Sequence, residues 1–577
     1  MTAVTSATRA HTRPGATGAG TGGLAVADSD RHTPQRRLSR LAAVAASVAM
    51  ATVAFATAGG ASTSDRAHAQ KSGGEVRFGI EAETEQANGY CLPRSQLAIS
   101  GIQVADAVYD TLTVPNGKGE FVPYLAKSVE PNADFTEWTI TLRDGVKFHD
   151  GTALDANAVK LNLDTYAGRN NPPQAAPLFS NILKDIYDHA DVVDPLTVKV
   201  TLKQPVPSYA AYLYGTGRVG MVAPAQLNAG GACTNTLIGT GPFVCKPGCW
   251  RPNESLTVEK NPDYWQKGYP KVDKITFVPV IEAAQRVTEL EGGQLDMIHE
   301  DSAQQIDQLD RKRGDFNLLI QKPGLREIRY YFVNAGKPPF NDPDARKALA
   351  MAIDRDHINS ITNKGLFEVA GGIMDSEVPG YLKNAGIPKH NVKKAKQLVD
   401  KVKAANGGNF SVDLLTTTDP ETLNEAQLLK EDLDKAGIDA TISPTDQATL
   451  INRAIQGDYG MFLWRNLHGG NPDHPDVDLF PWFGKESLVN FGHINDDHLE
   501  GDLKQGRNSN DPSDLNRIYQ DVNRTISKNV YVLPMWYVDW TIATAKDVKV
   551  PFPKLPDGGG KPLFVYGRIP VLGISKS

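Results

Sequence analysis

The residues best suited to do chemistry lie together between Tyr459 and Phe483, in YGMFLWRNLHGGNPDHPDVDLFPWF. Arg465 and Asn466 put a planar cation and an amide directly after the apolar run Met461 to Trp464. A guanidinium pairs bidentately with a carboxylate or a phosphate, so this is chemistry for holding an anion. His468, Asp473, His474, Asp476 and Asp478 make a second constellation in the same stretch, with imidazoles that suit nickel or zinc. Their spacing follows no recognised metal site, and Pro472 and Pro475 point to a solvated loop, so no metal is assigned. Tyr90, Tyr331, Trp464, Trp482 and Trp536, near expected strand ends, offer flat apolar area with a donor and could wall a pocket; the competing reading of each is a core residue. Glu83 is a carboxylate available to a cationic ligand group.

Signatures of catalysis are missing. The chain has no Gly-x-Ser-x-Gly elbow, His-Glu-x-x-His, Walker-type phosphate loop, or Gly-x-Gly-x-x-Gly between strand and helix. Missing motifs do not by themselves decide against an enzyme, and these residues call for no cofactor. A net charge of -6 over 577 residues, with no basic stripe interleaved with aromatics, excludes a general nucleic-acid binder.

Strands must hold these residues in place. In Asp134 to Gly151, DFTEWTITLRDGVKFHDG, Trp138, Ile140 and Leu142 alternate with polar residues, which predicts a strand. Asp144-Gly145 predicts a tight hairpin turn, Val146 to Phe148 the returning strand, and Asp150-Gly151 a second turn. Two further blocks follow: IGTGPFVCKPGCWRPNESLTVEKNPDYWQKGYPKVDKITFVPV from Ile238 to Val280, and PPFNDPDARKALAMAIDRDHIN from Pro338 to Asn359. Spacing elsewhere predicts strands over Val76 to Ile80, Asp194 to Leu202, Leu295 to Met297 and Ala440 to Ser443. Helices are predicted over Gln103 to Leu112, Asp155 to Tyr166, Ala283 to Glu291, from a cap at Asp342, over Val392 to Val402 and over Glu421 to Ala436.

The three blocks, in this order, resemble family 5 extracytoplasmic solute-binding proteins, the receptors of peptide and nickel ABC importers. The resemblance implies an α/β, two-lobed periplasmic-binding-protein fold of class II or cluster C type, with hinge crossovers and an extra subdomain in lobe 1. The implied segments are 1–69 for a disordered N-terminus plus signal peptide, 70–107 for lobe 1, 108–190 for its extra subdomain, 191–282 for lobe 1 again, 283–526 for lobe 2 and 527–577 for a return to lobe 1, with Val530 to Trp536 in that return. It implies a monomer that captures a peptide or peptide-like solute and delivers it to a permease served by separate ATPase subunits. The competing readings are a receptor for a nickel or other metal chelate or a small organic anion, and an exported hydrolase with an unrecognised site. Oligopeptide-binding relatives carry an aspartate for the ligand's α-amino group where this chain has Asn466 to Gly469, so an anionic ligand group on Arg465 becomes attractive; the alternative is that Arg465 pairs with a protein carboxylate. The loop from Glu81 to Pro93 is expected at the ligand site, and the candidate ligand set is Glu83, Tyr90, Tyr331, Trp464, Arg465, Asn466, His468 and Trp536.

Arg31, Arg36, Arg37 and Arg40, the apolar run Leu41 to Thr57 and Ala67-His68-Ala69 make a secretory signal with cleavage before Gln70; an uncleaved anchor is the competing reading. Arg36-Arg37 is a weaker fit to a twin-arginine signal because Ser39 stands where an apolar residue is usual. The first cysteine is Cys91, far past that run, so the chain is expected in the periplasm or cell envelope and not as a lipoprotein. In an oxidising compartment Cys91, Cys233, Cys245 and Cys249 are expected in two disulfides, whose three possible connectivities the sequence does not separate, with Cys245 and Cys249 the favoured local pair; Cys-x3-Cys is a weak zinc match.

Overall fold

The computed structural model describes residues 73–82, 84, 88–95, 97–170, 175–229, 236–468 and 474–577, the side chains of 466–468 excepted. All of them fall within one compact unit, His68–Ser577. The expected signal segment, Glu83 and Cys233 lie outside the described residues.

Two sheets define two lobes. The first runs in the order Phe316–Ile320, Thr541–Ala545, Met297–Glu300, Glu75–Ile80, Lys274–Pro279, Ser255–Lys260, Phe243–Val244. Its centre is parallel: Glu75–Ile80 pairs in parallel with both Lys274–Pro279 and Met297–Glu300. Val76, Phe78 and Ile80, alternate residues on one face of that strand, are fully buried there. The second sheet runs Asp439–Thr445, Ser411–Thr417, Met461–His468, Glu327–Val333, Val532–Val538, and its first three strands are parallel. A separate antiparallel sheet of Ala126–Pro131, Glu137–Leu142, Thr197–Leu202 and Tyr187–Asp194 forms the extra subdomain.

The chain passes from the first sheet to the second between Ile320 and Glu327 and returns between Val538 and Thr541. Three expected assignments are corrected. Tyr187–Asp194 and Thr197–Leu202 share the subdomain's sheet across the expected boundary at 190/191, so residues 191–202 go with that sheet and not with lobe 1. Met297–Glu300 and Phe316–Ile320, within the segment 283–526 assigned to lobe 2, belong to the first sheet. Val530 to Trp536, expected in lobe 1, stays in the second lobe, where Val532–Val538 pairs antiparallel with Glu327–Val333. All seven residues of that strand are buried, because the segment 368–370 covers its outer edge through hydrogen bonds from Tyr537 N to Glu368 O and from Ala370 N to Met535 O. A strand apolar on both faces fits either sheet, so its composition does not choose between them.

The signature strand forms as Glu137–Leu142, but its partners are Ala126–Pro131 and Thr197–Leu202. With both edges filled, Val146 to Phe148 makes no hairpin strand; only an isolated bridge joins Lys147 to Ala153. The helix expected over Gln103 to Leu112 runs over Ile99–Val108 instead, since Tyr109 already has extended dihedrals. Gly239 and Gly241 of the Gly-Thr-Gly-Pro-Phe block lie against the end of that helix. A Cβ on Gly241 would come within 2.5 Å of the Val108 carbonyl carbon, and one on Gly239 would strike the Val108 carbonyl oxygen. Capping follows the sequence closely: Asp155 accepts from Ala158 N at 2.8 Å and Asp342 from Asp344 N at 2.8 Å.

Cys245 and Cys249 are joined by a disulfide, and Cys91 is also disulfide-bonded. Among the described residues no helix is long and apolar enough to cross a membrane.

Candidate functional site

A cavity of about 580 Å³ lies where the two sheets present their carboxyl ends to each other. From the first lobe Glu81, Ile281 and Asp301 follow directly on three adjacent parallel strands, or within two residues of their ends. From the second lobe come Thr417 and Thr445, which end their strands, and Leu463, Trp464 and Arg465. Crevices outside the carboxyl ends of strands are where open α/β sheets bind ligands. Helices start at the same rim: Glu282, Asp419 and Asp446 cap Ala283–Glu291, Pro420–Ala436 and Gln447–Gln456 with their carboxylates.

The described wall carries six carboxylates, Glu81, Glu282, Asp301, Asp419, Glu421 and Asp446, against three guanidiniums, Arg286, Arg329 and Arg465. Each arginine already has a protein partner. Arg286 donates to Glu300 at 2.9 Å in a pair 2% and 0% exposed. Arg329 Nε donates to Glu425 at 2.7 Å, and Tyr331 Oη donates to the other oxygen of Glu425 at 2.8 Å. Arg465 donates to Asp301 and lies 3.4 Å from both Glu81 carboxylate oxygens.

Burial pushes the Glu81 carboxyl up to about 8, against the pull of Arg465 and with help from the Asp301 charge. For Asp301 burial acts in the same sense but loses to Arg465, Arg286 and Arg329, which together hold it below the usual carboxylate range. Arg465 in turn is held above its ordinary value: burial opposes its charge, but Glu81 and Asp301 outweigh burial. Glu421 is raised, first by burial and then by Asp301, although Ser302 Oγ donates to it at 2.8 Å.

Of the expected ligand set, Trp464 and Arg465 line the cavity. Trp464 is backed by rings of Phe491 at 5.3 Å and Trp482 at 5.9 Å. Tyr90, Tyr331 and Trp536 do not line it. Tyr90 packs edge-on against Trp250 at 6.2 Å, Tyr331 serves Glu425, and Trp536 lies beneath Arg329 at 5.8 Å, each buried as an aromatic that completes the core behind the wall. Asn466 and His468 belong to the strand Met461–His468, and His468 stands opposite Glu327 in the ladder; their side chains are outside the description. The expected loop from Glu81 supplies Glu81, Ala82 and Thr84. Asp301, Arg286 and Arg329 were missed, and the available signal was position: Glu81 and Asp301 each follow an apolar strand at its carboxyl end.

Of the histidine and aspartate constellation, His474 and Asp476 are put to other use, and Asp473 lies outside the described residues. Asp476 is buried, 3.0 Å from Arg507 Nε, and accepts from Tyr212 Oη at 2.6 Å; His474 lies 3.0 Å from the Ser509 carbonyl. Among the described residues no group of three His, Cys, Asp or Glu could hold a metal.

The fold and the cleft define a two-lobed solute-binding protein. Residues 120–488 match the bacterial extracellular solute-binding proteins, family 5 (middle region), and the chain belongs to that family. It is 28% identical over 445 residues to the glutathione-binding protein GsiB of Salmonella paratyphi A, covering 75% of this chain and 84% of that protein. The structure of AgaA from A. tumefaciens R10, in complex with agropinic acid, superposes with a TM-score of 0.76 at 26% identity, over 87% of this chain and 99% of AgaA. Helicobacter pylori DppA, in complex with the peptide STSA, has the same fold, with a TM-score of 0.76 at 20% identity over 88% and 98% of the two chains.

Proposed function

We propose that this chain is the extracytoplasmic substrate-binding component of an ABC importer, which captures a peptide or peptide-like solute between its lobes and hands it to a membrane permease. The observation that carries this reading is the cavity of about 580 Å³ between two sets of parallel strand ends, a size suited to a small organic solute. Its wall favours a solute with a cationic end. All three arginines are engaged by protein carboxylates, which removes the support for an anion held by Arg465, whereas carboxylates outnumber guanidiniums. The mechanism is binding with closure: a solute that touches both lobes favours the closed form by its differential affinity for it. The chain acts as a monomer without catalysis or cofactor. It is exported, with a mature N-terminus at Gln70 and no lipid anchor, and ATP hydrolysis belongs to partner subunits.

Mass spectrometry of solute released by denaturing protein purified from its native host tests this reading. A peptide or amine-bearing peptide-like solute, rebinding in calorimetry to emptied protein, is the expected result. A metal chelate or an amine-free organic anion would overturn it.

A further inference from the structure

Among the described residues of the cleft wall, Arg465 is the arginine that reaches across it. Arg286 and Glu300 belong to the same lobe, as do Arg329 and Glu425. Arg465 stands on Met461–His468 in the second sheet, whereas Glu81 and Asp301 follow strands of the first. Its guanidinium also lies 5.0 Å from the ring of Trp540, in the segment that carries the chain back between the lobes. The side chains of Arg465, Glu81 and Asp301 are 26%, 8% and 17% exposed, so the triad is largely screened from water. A second bridge runs nearby in the same sense, from Ser302 Oγ of the first lobe to Glu421 of the second.

We propose that Arg465 is an interlobe clamp that draws the cleft closed through Glu81 and Asp301 before any solute is bound. The inference rests on the reading that the lobes close on a solute, and it adds that part of the closure is built into the chain. A solute then has to supply only the remainder, and its apparent affinity scales with the fraction of molecules already closed.

The triad also makes closure depend on pH. One guanidinium faces two carboxylates. Arg465, Arg286, Asp301 and Glu327 act on Glu81; Arg465, Arg286, Arg329 and His299 act on Asp301, with Glu300 and Glu421 beside it. Burial pushes the Glu81 carboxyl up to about 8 in this arrangement, so below that value Glu81 meets Arg465 as a neutral acceptor and Asp301 carries the charge of the pair; an opening that exposes Glu81 to water returns it toward its ordinary 4.5. The closed form therefore binds more protons than the open form between these values, and closure weakens as pH rises through that window.

The test is small-angle scattering of the full mature protein, emptied of solute by unfolding and refolding, with wild type compared to Arg465→Ala, Arg465→Lys and Glu81→Gln. Arg465→Ala should shift the open-to-closed ratio by about tenfold or more and enlarge the radius of gyration, as loss of a desolvated charge pair does. Arg465→Lys should fall between the two, since ammonium keeps the charge without the fork. Wild type should open between pH 5 and 8, and Glu81→Gln should stay closed across that range. Scattering of Arg465→Ala identical to wild type, in protein with an unchanged melting temperature, would overturn the clamp; if that variant fails to fold, Arg465→Lys with wild-type scattering at every pH does so. No solute enters this experiment, so a failed search for a peptide-like ligand would count against the proposed function and leave the clamp to stand on the scattering.

Discussion

Above about pH 7, the value to which burial pushes the Glu300 carboxyl against the pull of Arg286, replacing Glu300 by glutamine should destabilise the fold by about 3–5 kcal/mol, the loss typical of a buried ion pair deprived of one partner. The carboxylate accepts from Arg286 Nε at 3.2 Å, from Arg286 Nη2 at 2.9 and 3.0 Å, and from the backbone N–H groups of Asp301 at 3.0 Å and Ser302 at 2.9 Å. Glutamine has the same shape, but it removes the charge and turns one acceptor into a donor facing other donors. Arg286 cannot retreat to water, because its Nη1 is tied to the carbonyls of Val280 at 2.8 Å and Ile281 at 3.0 Å and the residue is 1% exposed. The variant therefore keeps a buried cation without its nearest counter-charge. Urea denaturation followed by tryptophan fluorescence measures the loss. The double replacement Arg286→Met with Glu300→Leu should recover most of it, since apolar residues of similar volume remove both charges together. A loss under about 1 kcal/mol for Glu300→Gln would refute the reasoning and mean that Asp301 and Glu81 neutralise Arg286 well enough without Glu300.

Gly239→Ala should lower stability by about 1–3 kcal/mol, as overpacking does, because the new Cβ meets the Val108 carbonyl, which cannot swing away, as well as the Tyr109 ring; an unchanged melting temperature would show that the helix end shifts freely. Replacing Cys245 and Cys249 by serine should remove about 2 kcal/mol, the modest figure expected for a bridge with a sequence separation of 4, measured by denaturation under non-reducing conditions. The exported wild-type protein should show no free thiol in a thiol-labelling assay, and four labelled cysteines would contradict the oxidised state.

What the sequence made legible was local. Asp155 and Asp342 announced their helices because a capping carboxylate acts within three residues of itself. Alternation at Trp138, Ile140 and Leu142 announced a strand with one buried face. Partner choice was not legible. Val146 to Phe148 reads as the natural return of a hairpin, yet the preceding strand had already filled its edges with Ala126–Pro131 and Thr197–Leu202. The candidate site divides along the same line. Trp464 and Arg465 were legible as strand residues, although the strand runs on to His468 rather than ending at Trp464, and the partners of Arg465 lie 384 and 164 positions away in the chain, a distance over which residue types carry no register. Tyr90, Tyr331 and Trp536 lie outside the cavity lining, a distinction the sequence does not carry because an aromatic that walls a pocket and one that backs the wall have the same local sequence requirements.

The crossovers explain why a single arginine can matter to closure. The two connecting segments are bonded to each other, Gln321 N to Trp540 O at 2.7 Å, so the covalent joint between the lobes is narrow. Trp540 touches both sides of it: its ring stacks on His299 of the first lobe at 4.3 Å, and its Nε1 donates to Glu327 of the second at 2.6 Å. Hinges of this kind absorb motion in a few residues while the lobes move as bodies. Arg465 rests on the ring of Trp540 while it grips Asp301, so the clamp lies beside the joint. The clamp therefore bears on the lobe angle from beside the joint, and releasing it takes an opening rotation large enough to part Arg465 from Asp301.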